Sequence, residues 1–211
     1  MHFKKLKLCL FASMNLFVSH TYANSVINFD DVLFPGGNPL AFSTLSSGYK
    51  GFNWSGGSGN QYSWIVSPSD ATSWYGGSQP PFPHSGNNFA WNNGGTYLEL
   101  TLHGGGTFNL TDFWIRSWPS TTFDVTAKGY LNGTELFTQS FVTTSSYSQI
   151  ATNFSNIDRF TITPQSSSSL LVDDISVSNI SPAPEPESIA MIITGIGMVG
   201  AAASRRRRTY I

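Results

Sequence analysis

The stretch Tyr97-Leu98-Glu99-Leu100-Thr101-Leu102 alternates strictly, with three leucines on one face and Glu99 and Thr101 on the other. A period of two marks a half-buried β-strand, because successive side chains leave an extended backbone on opposite sides. Phe123-Asp124-Val125-Thr126-Ala127-Lys128 repeats the pattern with Phe123, Val125 and Ala127 inward. Asn132-Gly133 follows, and both residues tolerate positive φ, so a tight turn and a returning strand over 134–141 are expected. Residues 160–162 and 170–177 predict two more strands, joined by a loop around Pro164 and the serines of 166–169. Upstream, 26–29, 63–66, 89–91 and 113–115 are further strand candidates, and only the two chain ends show a helical or continuous apolar pattern.

Between those ends, residues 24–181 contain 73 Ser, Thr, Asn and Gly among 158 positions, a turn-and-strand bias that argues against a helical bundle. About eight to ten short strands in one domain-sized segment predict an all-β fold, an antiparallel β-sandwich of jelly-roll type. The segment holds four basic residues (Lys50, Arg116, Lys128, Arg159) against ten acidic ones, a net charge of −6 that the whole-chain value of −1 conceals. A nucleic-acid binder needs a basic stripe on its working domain, so nucleic acid is not expected as a partner. The sole cysteine, Cys9, lies ahead of this segment, which excludes disulfides and thiolate-metal sites from it.

The amino-terminal end carries Lys4, Lys5 and Lys7, then an apolar run over 8–18, then Thr21-Tyr22-Ala23. A charged start, a short apolar segment and a small-residue exit are the parts of a secretory signal peptide, here 1–23 with cleavage after Ala23. The run of about 11 residues is too short to cross a bilayer, which needs about 20. The lysines crowding its start argue against a buried core helix, and Leu8 before Cys9 argues against lipid attachment. At the other end, 182–211 begins with three prolines in Pro182-Ala183-Pro184-Glu185-Pro186, which predicts an extended spacer. Residues 189–203 then run 15 positions without a charge, and Arg205, Arg206, Arg207 and Arg208 follow. A helix there is about 22 Å long, close to a hydrocarbon core of about 30 Å once the arginines snorkel, so a short transmembrane helix over 189–203 is expected. The arginines set its orientation as a cytoplasmic anchor, with the domain outside.

Pro184-Glu185-Pro186, a short apolar helix and a terminal arginine cluster, in that order, resemble the PEP-CTERM sorting signal of exported proteins in Gram-negative bacteria. The resemblance covers about the last 30 residues. It implies recognition by an exosortase, a membrane-embedded processing enzyme that removes the tail, and an association with exopolysaccharide and biofilm matrix. An ordinary C-terminal anchor is the plainer alternative, and it leaves the Pro-Glu-Pro unexplained. Within the domain, Phe29-Asp30-Asp31, the 123–133 region and Leu171-Val172-Asp173-Asp174-Ile175-Ser176-Val177 are similar to exported jelly-roll domains related to carbohydrate-binding modules.

Two binding chemistries have candidate residues. Asp30 and Asp31 lie at the first strand and Asp173 and Asp174 in the last, and the terminal strands of a jelly roll tend to be neighbours. The four carboxylates can therefore converge on a structural calcium ion (Ca), which takes six to eight oxygen ligands. The alternative is that they are solvated edge residues or partners of Arg159. All six tryptophans fall within 54–118, and Trp54, Trp74 with Tyr75, and Trp91 sit beside Gly, Ser or Asn. Aromatic rings on loops stack on sugar faces, whereas tryptophans in a sandwich also fill the core. Catalysis has little support. His84 and His103 show no metal-ligand spacing, no nucleophile elbow is present, and Glu99 faces outward on a regular strand.

The sequence thus points to an exported, non-enzymatic cell-surface or exopolysaccharide-matrix protein, held transiently at the inner membrane and then released to the envelope or matrix. A carbohydrate-binding module for a defined extracellular glycan is the alternative role, and a glycoside hydrolase is a third. Mass spectrometry of the mature protein from its host is expected to find no peptide containing Arg205–Arg208 and none from 1–23. Recovery of an intact tail would remove the sorting reading.

Overall fold

The structure, a computed structural model, describes residues 24–34, 43–56, 65–68, 82–92, 97–118, 122–165, 169–183, 191 and 193–198. Twelve strands occur among them: β1 (Ser25–Ile27), β2 (Ser43–Thr44), β3 (Phe52–Gly56), β4 (Ile65–Pro68), β5 (Asn88–Trp91), β6 (Leu98–Leu102), β7 (Gly106–Trp118), β8 (Phe123–Leu131), β9 (Thr134–Thr143), β10 (Ser148–Ile157), β11 (Arg159–Pro164) and β12 (Ser169–Pro182). They form two antiparallel sheets, one of five strands in the order β3-β6-β11-β8-β9. The other has seven strands in the order β10-β7-β12-β5-β4-β2, with β1 also on β12. This is the expected antiparallel sandwich.

Alternation decides which way each strand faces. Leu98, Leu100 and Leu102 of β6 are buried while Glu99 and Thr101 are not, and Val125 and Ala127 of β8 are buried in the same way. Their partners across the sandwich are Phe108, Leu110, Phe113 and Ile115 of β7 and Leu170, Val172, Ile175 and Val177 of β12, all in one core. The turn between β8 and β9 uses Asn132 at φ 50° and Gly133 at φ 80°, the left-handed pair that a two-residue hairpin requires.

The structure departs from the sequence expectation in strand number and length. β2, β3 and β10 were not foreseen. In β10 the run 148–157 is mostly polar, and Asn153 and Asn156 sit at φ 50° and 53°, where the register with β7 shifts. Bulges of this kind break the period of two that reveals a strand. β7 extends over 13 residues rather than 113–115, and β12 over 14. The first strand ends at Ile27, so Asp30 and Asp31 lie in the turn after it rather than on it.

The signal peptide 1–23, the sorting motif Pro184-Glu185-Pro186 and the arginines 205–208 lie outside the described residues. Residues 191 and 193–198 are helical, with Met191, Ile193, Ile196 and Met198 exposed. Among the described residues no helix is long and apolar enough to cross a membrane. Leu100 is fully buried at the centre of β6. Leu100→Ala is expected to destabilise the domain by about 3 kcal/mol through lost burial and a residual cavity, read from the urea midpoint.

Candidate ligand-binding site

β12 is flanked by β7 along its length, but on its other edge it changes partner. Leu171 and Val172 pair with β5, whereas Ile175, Ser176 and Val177 pair with β1. At the changeover the register shifts between Asp173 and Ser176, and Asp174 adopts φ 44°. The segment that enters β5 and the turn that leaves β1 meet at this gap. Their backbone N–H groups have no strand to bond, and carboxylates take that place.

Asp173 Oδ2 accepts from the N–H of His84 at 2.9 Å and of Ser85 at 3.1 Å, and its Oδ1 accepts from Asp174 N–H at 2.8 Å. Asp174 accepts from Ser85 Oγ at 2.8 Å and lies 2.7 Å from His84 Nδ1. From the opposite side, Asp30 Oδ1 accepts from the N–H of Asn87 at 2.7 Å and of Asn88 at 3.1 Å. Gly86, at φ 56°, permits the approach, because a Cβ there would fall inside the Asp30 carboxylate. Three carboxylates from the two ends of the domain therefore hold one short segment. Burial outweighs the N–H bonds at Asp173 and pushes its pKa up to about 7.

The held segment covers part of the solvent side of the seven-stranded sheet. The His84 ring stacks on Trp114 with centroids 3.6 Å apart and planes at 14°, and it meets Tyr147 edge-on at 5.5 Å. On the same face Phe89, Trp91 and Leu171 form a second apolar cluster, distinct from the core, with Trp118 and Tyr147 packed against it. Trp91 and Trp118 cross at 89°. Phe82 is half exposed and meets Tyr147 edge-on at 6.3 Å.

Arg116 lies within this aromatic group, fully buried. Its guanidinium is 4.3 Å from the Phe82 ring centre and 5.7 Å from that of Tyr147. Nε donates to the Ser117 carbonyl at 3.3 Å, while Nη1 has no hydrogen-bond partner. The Tyr147 hydroxyl is likewise buried without a partner. Burial lowers the Arg116 pKa, but guanidinium stays charged in proteins. A desolvated cation–π contact returns about 2 kcal/mol, whereas burying an ion costs several, so the rings do not offset the charge. The other three cations of the domain all have acid partners: Lys50 with Asp31, Lys128 with Glu135, and Arg159 with Glu99 at 3.5 Å.

Of the residues singled out in the sequence, Asp30, Asp173 and Asp174 gather on 84–88 but are kept apart by the backbone they bind. Asp31 turns away to Tyr49 and Lys50. The four carboxylates expected together are thus split in the structure, three of them on 84–88 and Asp31 on Tyr49 and Lys50. Among the described residues no group of three or more His, Cys, Asp or Glu is placed to hold a metal ion. Trp54 is not on a loop: it stands in β3 opposite Leu100, meets Phe29 and Phe52 edge-on, and donates from Nε1 to the Tyr49 carbonyl at 2.9 Å. Trp91 is also a strand residue, on β5, and nearly buried. Trp74 and Tyr75 lie outside the described residues. Trp114, Trp118, Tyr147 and His84 were missed as a group, although Asp112, Trp114, Arg116 and Trp118 alternate with Phe113, Ile115 and Ser117. Ser85 donates to Asp174 and not to the His84 ring, so this set does not make a nucleophile–base pair.

A separate groove of about 800 Å³ lies at one end of the sandwich, between Thr101, Gly106, Asn132, Arg159 and Pro182. Beside it, a hollow of about 310 Å³ is lined by Lys50, Leu102, His103 and Ile180. His103 Nδ1 there lies 2.9 Å from Asn53 Oδ1.

No family model matches the sequence, and no curated protein does. Among solved structures, TmCBM61 in complex with β-1,4-galactotriose is similar at 16% identity and a TM-score of 0.35, over 62% of this chain and 92% of that one. A family 29 carbohydrate-binding module from Piromyces equi is similar at 13% identity and 0.38, over 74% and 90%. The CBM22-1 xylan-binding domain from Paenibacillus barcinonensis is similar at 11% and 0.38, over 76% and 98%.

Because the raised pKa of Asp173 means that the folded state binds its proton more tightly, its contribution to stability is full below the ordinary value of 3.8 and is lost as pH rises through about 7. Asp173→Asn keeps an acceptor for the His84 and Ser85 N–H groups without the titration. The variant is expected to lose less stability than the parent between pH 4 and pH 8, measured by urea denaturation across that range.

Proposed function

We propose that this protein is an exported, non-catalytic β-sandwich that binds extracellular polysaccharide through the solvent side of its seven-stranded sheet. One observation carries the reading: Trp91, Trp114, Trp118 and Tyr147, with Phe82 and His84 above them, form an aromatic group outside a core that is complete without them. These rings are partly buried on the solvent side of the sheet, with Phe82 half exposed at their edge, and a layer of aromatic rings outside the core offers a ligand its faces. Aromatic rings take up the apolar faces of sugars, and the carboxylates beside them accept from hydroxyl groups. Asp112, next to Trp114 along the strand, already bonds side chains in this way, accepting from Gln149 and Ser176 at 3.1 Å each.

The two chain ends supply the address. Three lysines, a short apolar run and Ala23 support export. Pro184-Glu185-Pro186 with the arginine cluster supports transient inner-membrane anchoring and processing by an exosortase, which places the mature domain at the envelope or in the matrix. A purely structural or adhesive matrix role uses the same scaffold but requires no defined glycan, and binding separates the two.

In affinity electrophoresis through a panel of neutral polysaccharides, the protein is expected to be retarded by at least one. Trp114→Ala and Trp118→Ala should each weaken that retardation about tenfold, equivalent to about 1.4 kcal/mol. Their melting temperatures are expected to stay within a few degrees of the parent, since neither ring belongs to the core. Free migration in every gel would overturn the reading.

A further inference from the structure

We infer that Arg116 and the Tyr147 hydroxyl form the recognition point for an oxyanion carried by the glycan, a uronate carboxylate or a sulfate ester, reached when the Phe82 ring moves aside. The inference rests on the polysaccharide-binding reading of the same face and specifies its ligand class.

The domain has ten acidic groups and four basic ones. Each of the three more exposed bases has found an acid, whereas the fully buried Arg116 has none among the described residues. Its Nη1 is a donor without an acceptor, and the neighbouring Tyr147 hydroxyl is a second buried group without a partner. Two unmet donors beside a buried positive charge describe a receptor for an anion. The nearest acids do not serve it. Asp173 is committed to three backbone N–H groups, and Asp174 to Ser85 and His84. Asp173 would repel an arriving anion while ionised, and its raised pKa lessens that repulsion at neutral pH. Phe82 is the half-exposed ring against the guanidinium, so its displacement opens the site from solvent. A net charge of −6 opposes long-range attraction of an acidic polymer. Binding must therefore come from a short, desolvated contact, which salt screens little.

The test runs the full-length protein through gels containing polygalacturonate, its methyl ester, dextran sulfate or dextran, at low and at high salt. The wild type is expected to be retarded about tenfold more by a charged polymer than by its neutral counterpart, and the preference should survive in high salt. Whichever charged polymer responds tells carboxylate from sulfate. Tyr147→Phe keeps the ring and should lose part of the preference; Arg116→Leu should abolish it. If Arg116→Leu fails to fold, as a melting curve would show, Tyr147→Phe decides. Equal retardation by charged and neutral polymers, or a preference unchanged in Tyr147→Phe and in folded Arg116→Leu, overturns the inference and leaves the polysaccharide reading standing. No retardation by any polymer defeats both.

Discussion

The seven-stranded sheet depends on how one strand changes neighbours. β12 is the central element, and a sheet whose central strand exchanges β5 for β1 halfway along must break its ladder there. A break leaves backbone N–H groups unmet, each costing about 1–3 kcal/mol if buried. Asp30, Asp173 and Asp174 meet that need from both sides. Two of the three come from near the end of the domain and one from near its start, so the clamp forms only when the chain has closed on itself.

The same clamp sets the surface that we assign to ligand binding. By fixing 84–88, it lays His84 over Trp114 and brings Phe82 against Arg116 and Tyr147. The cost is a carboxyl group held in apolar surroundings, seen in the raised pKa of Asp173. The five-stranded sheet lacks such a feature among the described residues. Its outer face is mixed: Leu136 and Val142 are exposed on β9, while Arg159 lies over Tyr130 and pairs with Glu99. The two faces of the sandwich thus differ in kind. On one, Lys128 and Arg159 each meet an acid, and the other keeps an aromatic layer around a cation that meets no acid among the described residues.

Much of the sandwich could be read from the period of two in 98–102 and 123–131 and from the Asn132-Gly133 turn. The neighbouring positions of the first and last strands were also legible, and β1 pairs with β12. Strands with bulges were harder to see: in β10 two left-handed asparagines shift the alternation. The binding face was hidden for a related reason. Trp114, Arg116 and Trp118 sit on the side of β7 opposite the core, and a strand with large residues on both faces shows no apolar–polar contrast. Trp54 illustrates the converse, since glycine and serine beside it suggested a loop where backbone pairing to β6 continues the strand.

The sequence alone determined the all-β class, the facing of the regular strands and the acidic balance of the domain, because these follow from local alternation and composition. Tertiary structure alone decided which acids found partners. A carboxylate's neighbours are set by chain closure over some 60 to 90 residues, as in the contacts of Asp30 with Asn87 and of Asp173 with His84. The lack of an acid at Arg116 among the described residues has the same origin. Whether a buried cation meets an anion depends on where distant strands place their side chains, and no spacing along the chain encodes that distance.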